Sequence, residues 1–149
     1  MRRGLVESES AGSVSMRHGL RATLAELLLE SEAVDEAERE LGAAEDDLAG
    51  GELMLAPEVD RVRAQLAYRR GDLRRAGEAL ERATDLARST GALSLELRAA
   101  ITSVQLEGLL DRTASYERLR ATCERFTEGF DTADLRTAAA LLAGIESRT

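Results

Sequence analysis

Few residues of this chain have the chemistry that catalysis or metal binding requires. The one histidine is His18 and the one cysteine is Cys123. His18 stands beside Gly19, near the start of the first helical segment, where it is expected to be an exposed or half-buried first-turn residue. The alternative, a pH-sensitive contact or weak ligand, has no second histidine to support it. A reactive thiol needs nearby positive charge and access. Arg120 and Arg125 lie close to Cys123 in sequence, but a small buried apolar residue is the simpler expectation. One cysteine excludes an internal disulfide and any cysteine-cluster metal site, and it fits a reducing cytoplasm. The acidic runs "ESEAVDEAERE" and "AAEDDLAGGE" lack the spacing of a calcium loop. Glu32, Glu36 and Glu40 recur every four residues, as on a solvated helix face. No catalytic, metal or cofactor site is expected. Arg61, Gln65, Tyr68 and Arg69 remain: two guanidinium groups, an amide and a phenol at helical spacing, a set suited to binding.

These residues must be positioned by helices. The apolar fraction is 44%, mostly Leu and Ala, with two Phe, two Tyr and one Pro in 149 residues. All 20 basic residues are Arg. Leu, Ala, Glu and Arg are strong helix formers, so the fold class read from composition is all-α. The net charge of −8 argues against a nucleic-acid binder, which needs a basic footprint. The charge is uneven: residues 1–57 carry 13 carboxylates against 5 arginines, and residues 58–91 carry 6 against 8. This describes either solvated helix faces or two contact surfaces of opposite sign. No run of about 18 apolar residues exists, so no membrane-spanning helix is expected. Residues 1–16 read as a disordered tail and 17–149 as one helical domain, located in the cytoplasm.

The domain repeats itself. "LLLESEAVDEAERELGAAEDDLA", "LAYRRGDLRRAGEALERATDLAR" and "QLEGLLDRTASYERLRATCERFT" align without gaps. Ala37, Ala76 and Ser115 fall 39 apart, as do Leu41, Leu80 and Leu119; Ala44, Ala83 and Thr122; and Ala25, Ala64 and Ser103. Each unit reads as a helical hairpin, with Gly71–Asp72 as the turn of the middle one, Pro57 in the first turn of its first helix and Gly91 as a left-handed cap. A hairpin cannot bury both faces alone, so units must stack. The third unit has Leu110–Asp111 at the turn and Ser115 at an Ala position, and is expected to pack more loosely. Beyond it, "CERFTEGFDTADL" carries both Phe. Gly129 is a candidate cap, and Asp131 or Thr132 can N-cap a last helix whose face is Leu135, Ala138, Ala139, Leu142 and Ile145. Phe126 and Phe130 are expected to wedge that helix onto the third hairpin.

Small–Leu–small spacing in each second helix, with a Gly-Asp turn before it, resembles the tetratricopeptide pattern, whose usual period is about 34. The phrases "GDLRRAGEALERATDLARSTGALSLELRAA" and "FTEGFDTADLRTAAALL" resemble the C-terminal tetratricopeptide-like region of bacterial adenylate/guanylate cyclase-like proteins and predicted ATPase-containing transcriptional regulators. Gly91, Ala92, Ser94, Glu96, Leu97, Arg98, Ala99 and Ala100, then Phe126 to Thr132, Asp134 and Leu135, carry this resemblance, which spans residues 17–145. It implies a sensory or scaffolding module in signalling or transcriptional control. It transfers no cyclase or ATPase activity, because no G-x-x-x-x-G-K-[ST] phosphate loop is present.

The expected architecture is therefore three tetratricopeptide-like hairpins plus a C-terminal capping helix, an α-solenoid. Its first helices would line a concave groove bearing Ala22, Glu26 and Leu29; Arg61, Gln65, Tyr68 and Arg69; and Ala100, Val104 and Glu107. A protein or peptide partner, acidic or C-terminal, is the expected guest. The competing expectation is that Arg61 and Arg69 pair with Glu26 or Glu30 of a neighbouring helix. The alternative to an interaction module is self-association into a homo-oligomer, or a detached remnant of a larger regulator.

Overall fold

Four turns hold their pivot residue in the left-handed region: Glu32 (φ 63°), Gly71 (φ 79°), Gly91 (φ 69°) and Gly129 (φ 74°). The structure, a computed structural model, describes residues 17–49, 54–106 and 111–147. Within them lie α1 (17–30), α2 (Val34–Leu48), α3 (Ala56–Arg69), α4 (Leu73–Ser89), α5 (Leu93–Gln105), α6 (Arg112–Glu124) and α7 (Ala133–Glu146). No strand occurs among the described residues, and the fold is all-α. The tail expected over 1–16 lies outside them.

Three of these turns, at Glu32, Gly71 and Gly91, share a hydrogen-bond pattern that closes the helix end before them. After α1, the Glu32 N–H donates to the Leu29 carbonyl and the Ala33 N–H to that of Leu28. After α3, Gly71 donates to Tyr68 and Asp72 to Ala67; after α4, Gly91 donates to Arg88 and Ala92 to Ala87. These paired bonds satisfy carbonyls that the helix leaves open, and they require the left-handed residue. Glycine adopts that conformation freely, whereas Glu32 does so against its Cβ. The opposite side of the turn is capped by Asp72, which accepts from the Arg75 N–H at 3.0 Å, and by Asp111, which accepts from the Thr113 N–H at 2.8 Å. Ala33 precedes α2 and makes no side-chain cap.

Each core cluster joins three consecutive helices. Ala22, Ala25 and Leu29 of α1 meet Ala37, Leu41 and Ala44 of α2 and Val59, Val62 and Leu66 of α3. Ala64 of α3 meets Ala79, Leu80 and Ala83 of α4 and Ala99 of α5. Leu97, Ala100 and Ile101 of α5 meet Leu119 of α6 and Leu135 and Ala138 of α7. α3 and α5 thus serve two clusters each, and α3–α5 and α5–α7 pack directly as well as through the intervening helices. Alanine suits this work because it lets two helix backbones approach closely.

All twelve positions spaced by 39 are buried. Where the third set replaces Ala with a hydroxyl, Ser103 donates to the Ala100 carbonyl at 2.7 Å and Thr122 to that of Arg118 at 2.8 Å. A hydroxyl returned to its own helix satisfies itself locally. α6 buries only Ser115, Leu119 and Thr122, whereas α4 buries six residues.

Two expectations about the C-terminal corner need correction. Phe126 packs against the third cluster, but Phe130 is 64% exposed. It follows the left-handed Gly129, and the reversal there directs the chain outward before Thr132 begins α7. One Phe, not two, fastens α7. On α7 itself Leu135 and Ala138 are buried and Leu142 half-buried, while Ala139 is exposed and Leu141 takes part in the core instead.

Glu32→Gly is expected to stabilise the protein by about 0.5–1 kcal/mol, the left-handed cost of about 1–2 kcal/mol less the entropy of a new glycine. Urea unfolding of the variant measures it, and unchanged or lower stability contradicts the strain. In the same assay Phe126→Ala should cost about 2 kcal/mol, and Phe130→Ala less than about 0.5 kcal/mol.

Candidate interaction cleft

The odd-numbered helices bring their polar residues together at one place. Glu58 and Arg61 stand one turn apart on α3, and Glu58, in the first turn, is favoured by the helix dipole. Arg61 is 4% exposed. Its Nε and Nη2 donate to Glu58 at 3.0 and 2.6 Å. Its Nη1 and Nη2 donate to the two oxygens of Glu26, on α1, at 2.9 and 2.8 Å. Nη1 also donates to Thr102 Oγ1, on α5, at 3.2 Å. All five N–H groups of the guanidinium are therefore used.

Arg98 of α5 extends the network. Its Nη1 lies 2.6 Å from Glu58 Oε1, and it approaches both Glu26 and Asp134, in the first turn of α7, to 3.8 Å. Gln65 Nε2 donates to Glu26 Oε1 at 3.1 Å, while Gln65 Oε1 is buried with no partner among the described residues. Above these groups is a small open cleft of about 170 Å³, lined by Glu26, Arg61, Arg98, Ile101, Thr102, Gln105, Asp134 and Thr137. A second, larger cleft of about 400 Å³ adjoins at Gln105, between Val104, Tyr116, Ala140 and Leu141.

The charges settle each other. Burial alone would raise the Glu26 carboxyl, but the hydrogen bonds and charge of Arg61 outweigh it and hold Glu26 below the ordinary carboxylate range. Burial opposes the charge on Arg61 too, and Glu58 and Glu26 more than restore it. Glu26, Glu58 and Asp134 face Arg61 and Arg98, so the network carries one net negative charge, while the cleft lining itself, with Glu26 and Asp134 against Arg61 and Arg98, is balanced.

A second knot lies at the far side of α5. Glu96 accepts from Arg88 at 2.8 Å and from Arg125 at 2.7 Å. Its burial is again outweighed by these two partners, and its carboxyl too is held low. This ties the end of α4 and the end of α6 to the start of α5. On the α2–α3 side, Arg70 binds Asp35 and Glu38, each at 2.7 Å, and Arg63 binds Glu45. Arg21 of α1 binds Glu40 and Asp47 of α2 at 3.0 and 3.1 Å. Much of the acidic excess of the N-terminal third is thus met by arginines within the chain.

The residues expected on the groove divide into four groups. Glu26, Arg61 and Gln65 come together, with Arg61 and Glu26 as each other's partners. Leu29, like Ala22 and Ala100, is core. Tyr68 is half-buried, and Arg69 is exposed with no ionic partner among the described residues. Val104 is packed against the third cluster and lines the adjoining cleft, and Glu107 lies outside the described residues. Sequence reasoning missed Glu58, Arg98, Thr102, Asp134 and Thr137. Glu58–Arg61 and Arg98–Thr102 have the spacing of same-face pairs, which was a usable signal. Arg98 and Asp134 also stand in the two phrases that carry the family resemblance.

The other chemistry-bearing residues lie apart from the cleft. His18, expected to be exposed or half-buried, is fully buried, and neither ring nitrogen has a hydrogen-bond partner among the described residues. Its place on the core face of α1, one turn before Ala22, buries it. Cys123 is half-buried, and burial, with Glu124 beside it, pushes the thiol up, away from the thiolate. Among the described residues no three His, Cys, Asp or Glu side chains are placed to hold a metal ion, and no helix is long and apolar enough to cross a membrane. Comparison of the chain with protein-family models, with curated proteins and with solved structures finds no match.

Arg61→Met leaves Glu58 and Glu26 without their main counter-charge and should cost about 3–5 kcal/mol. Arg61→Lys should recover less than half of that, because an ammonium cannot serve two carboxylates and a hydroxyl along a planar fork. Denaturant unfolding of both variants decides this; equal stability of Lys and Arg at this position contradicts the five-donor account. Glu26 and Glu96 are held below their ordinary value of 4.5, so their contribution is complete above that pH and is lost as pH falls through the lowered values. The melting temperature should fall below about pH 4.5, and Glu26→Gln with Glu96→Gln should flatten that acid limb while lowering the plateau at pH 7.

Proposed function

We propose that the chain is a tetratricopeptide-like array of three helical hairpins, α1–α2, α3–α4 and α5–α6, with α7 as the capping helix. The 39-residue spacing of buried positions, the shared turn at Glu32 and Gly71, the shared cap at Asp72 and Asp111, and the three linked clusters support this reading. We further propose a non-catalytic protein-interaction module, used in bacterial signalling or transcriptional control as the family resemblance implies. The observation that carries it is the convergence of α1, α3, α5 and α7 on one polar cleft. A buried His18 and a thiol pushed toward its neutral form give little to build a reaction on.

The chemistry of the cleft points to the guest. Arg61 has no free N–H and does not serve as the receptor for a peptide carboxylate expected from the sequence. Arg98 and Asp134 are partly exposed and only 3.8 Å apart at their nearest, so a guest can exchange this loose contact for its own. With one net negative charge in the network beneath the cleft and Asp134 the more exposed partner of its loose contact with Arg98, the favoured guest is an extended segment bearing Arg or Lys opposite Asp134. Its backbone carbonyl would accept from Arg98 or Gln105, and an adjacent apolar side chain would enter the space between Val104 and Leu141.

Selection from a displayed random-peptide library on the folded protein tests this. Basic-apolar sequences should be enriched, should bind at least about tenfold more weakly to Asp134→Arg, and should bind Phe130→Ala unchanged. No enrichment, or enrichment indifferent to residue 134, would sink the reading.

A further inference from the structure

The two adjoining clefts differ in chemistry. The smaller one carries charges of both signs on its lining. The larger, an open space of about 400 Å³, lies where the ends of α5 and α7 meet the start of α6. Val104, Tyr116, Ala140, Leu141 and Gly144 give it apolar or small walls. Arg112 is the one charged residue on its lining, and no carboxylate lines it among the described residues. A hollow of this size, mostly apolar with a few polar groups at hand, has the ordinary form of a small-molecule site.

Arg112 is a cation without a counter-charge. It is the first residue of α6, where the helix dipole disfavours positive charge, and no acidic residue stands in that first turn. Asp111, beside it in the chain, is turned to the helix end and accepts from the Thr113 and Ala114 N–H groups at 2.8 and 3.5 Å. Arg112 has no ionic or hydrogen-bond partner among the described residues, and its guanidinium lies over the Tyr116 ring, 5.8 Å from the centroid. Its donors are therefore open to a ligand, unlike those of Arg61. Gly144 keeps another wall of the cleft open. It lies inside α7, where a glycine weakens the helix. A Cβ added to it meets nothing within 4 Å, so no neighbour requires a glycine there.

We propose that this cleft binds a small amphipathic monocarboxylate, with its apolar body between Val104 and Leu141 and its carboxylate on Arg112. One guanidinium matches one carboxylate, which it can hold with two parallel bonds. A phosphate dianion would find no second cation on the lining. The cation and the apolar walls share one hollow, so both halves of the ligand belong to one small molecule. Val104 and Leu141 also border the space offered above to a peptide side chain, but this inference does not rest on that reading. NMR titration of the full chain with octanoate and with phenylbutyrate tests it. At least one of them should shift the Tyr116 and Gly144 amide signals saturably, with a dissociation constant of about 1 mM or tighter. The matching neutral amide should bind at least about fivefold more weakly. Arg112→Gln should weaken the carboxylate about tenfold and leave the amide unchanged. Gly144→Leu should fill the cleft and abolish binding of both, with a melting temperature at or above that of the parent, because leucine is the better helix former. Asp134→Arg, which should weaken the peptide, should leave the carboxylate unaffected, so the two readings fail separately. No saturable binding of either carboxylate overturns the proposal. So does binding indifferent to Arg112→Gln or to Gly144→Leu.

Discussion

The structure depends on keeping one buried guanidinium fully satisfied. Arg61 needs five acceptors in a plane, and it draws them from three helices: Glu58 on its own α3, Glu26 on α1 and Thr102 on α5. A buried ion pair is a poor source of net stability, since desolvation offsets most of its attraction. Its value here is geometric. Much of the packing around it is alanine on alanine, and such contacts change little if one helix slides a turn along another. The Arg61 network does change, because a slide of one turn leaves a buried charge without its partners.

That division of labour explains the distribution of residue types. The clusters between α1 and α7 supply burial with Ala, Leu and Val in recurrent positions, and the hydroxyls of Ser103 and Thr122, which replace Ala in the third set, are satisfied within their own helices. The odd-numbered helices supply the charged groups that fix their mutual register. Glu96 does the same for the joints of α4, α5 and α6, with Arg88 and Arg125 as its two partners. Because each knot holds both signs, strong charges can lie inside an all-α fold this poor in large apolar side chains.

The helices, the left-handed turns at Gly71, Gly91 and Gly129, and the buried face of each second helix were legible in the sequence. Each is fixed by residues near one another in the chain. The turn at Glu32 was not legible, since nothing in the residue type announces a left-handed glutamate; only its distance of 39 from Gly71 does. Phe130 was misread because two aromatics flanking a glycine look alike in sequence, and the direction of the chain after Gly129 decides which one is covered. His18 was misread because its place on the core face of α1 counts for more than its polarity. The cleft was half legible. Arg61, Gln65 and Glu26 were on the right helices, but the role of Arg61 as an internal clamp required knowing that Glu58 and Thr102 converge on it.

The same constraint determines which surfaces remain for partners. A guanidinium with all donors engaged offers a partner nothing, so the recognition we propose falls to the looser rim, where Arg98 and Asp134 face each other at 3.8 Å. Opening that contact leaves Arg98 still bonded to Glu58 at 2.6 Å, and so leaves the register lock intact. A partner can therefore bind the rim without loosening the stack.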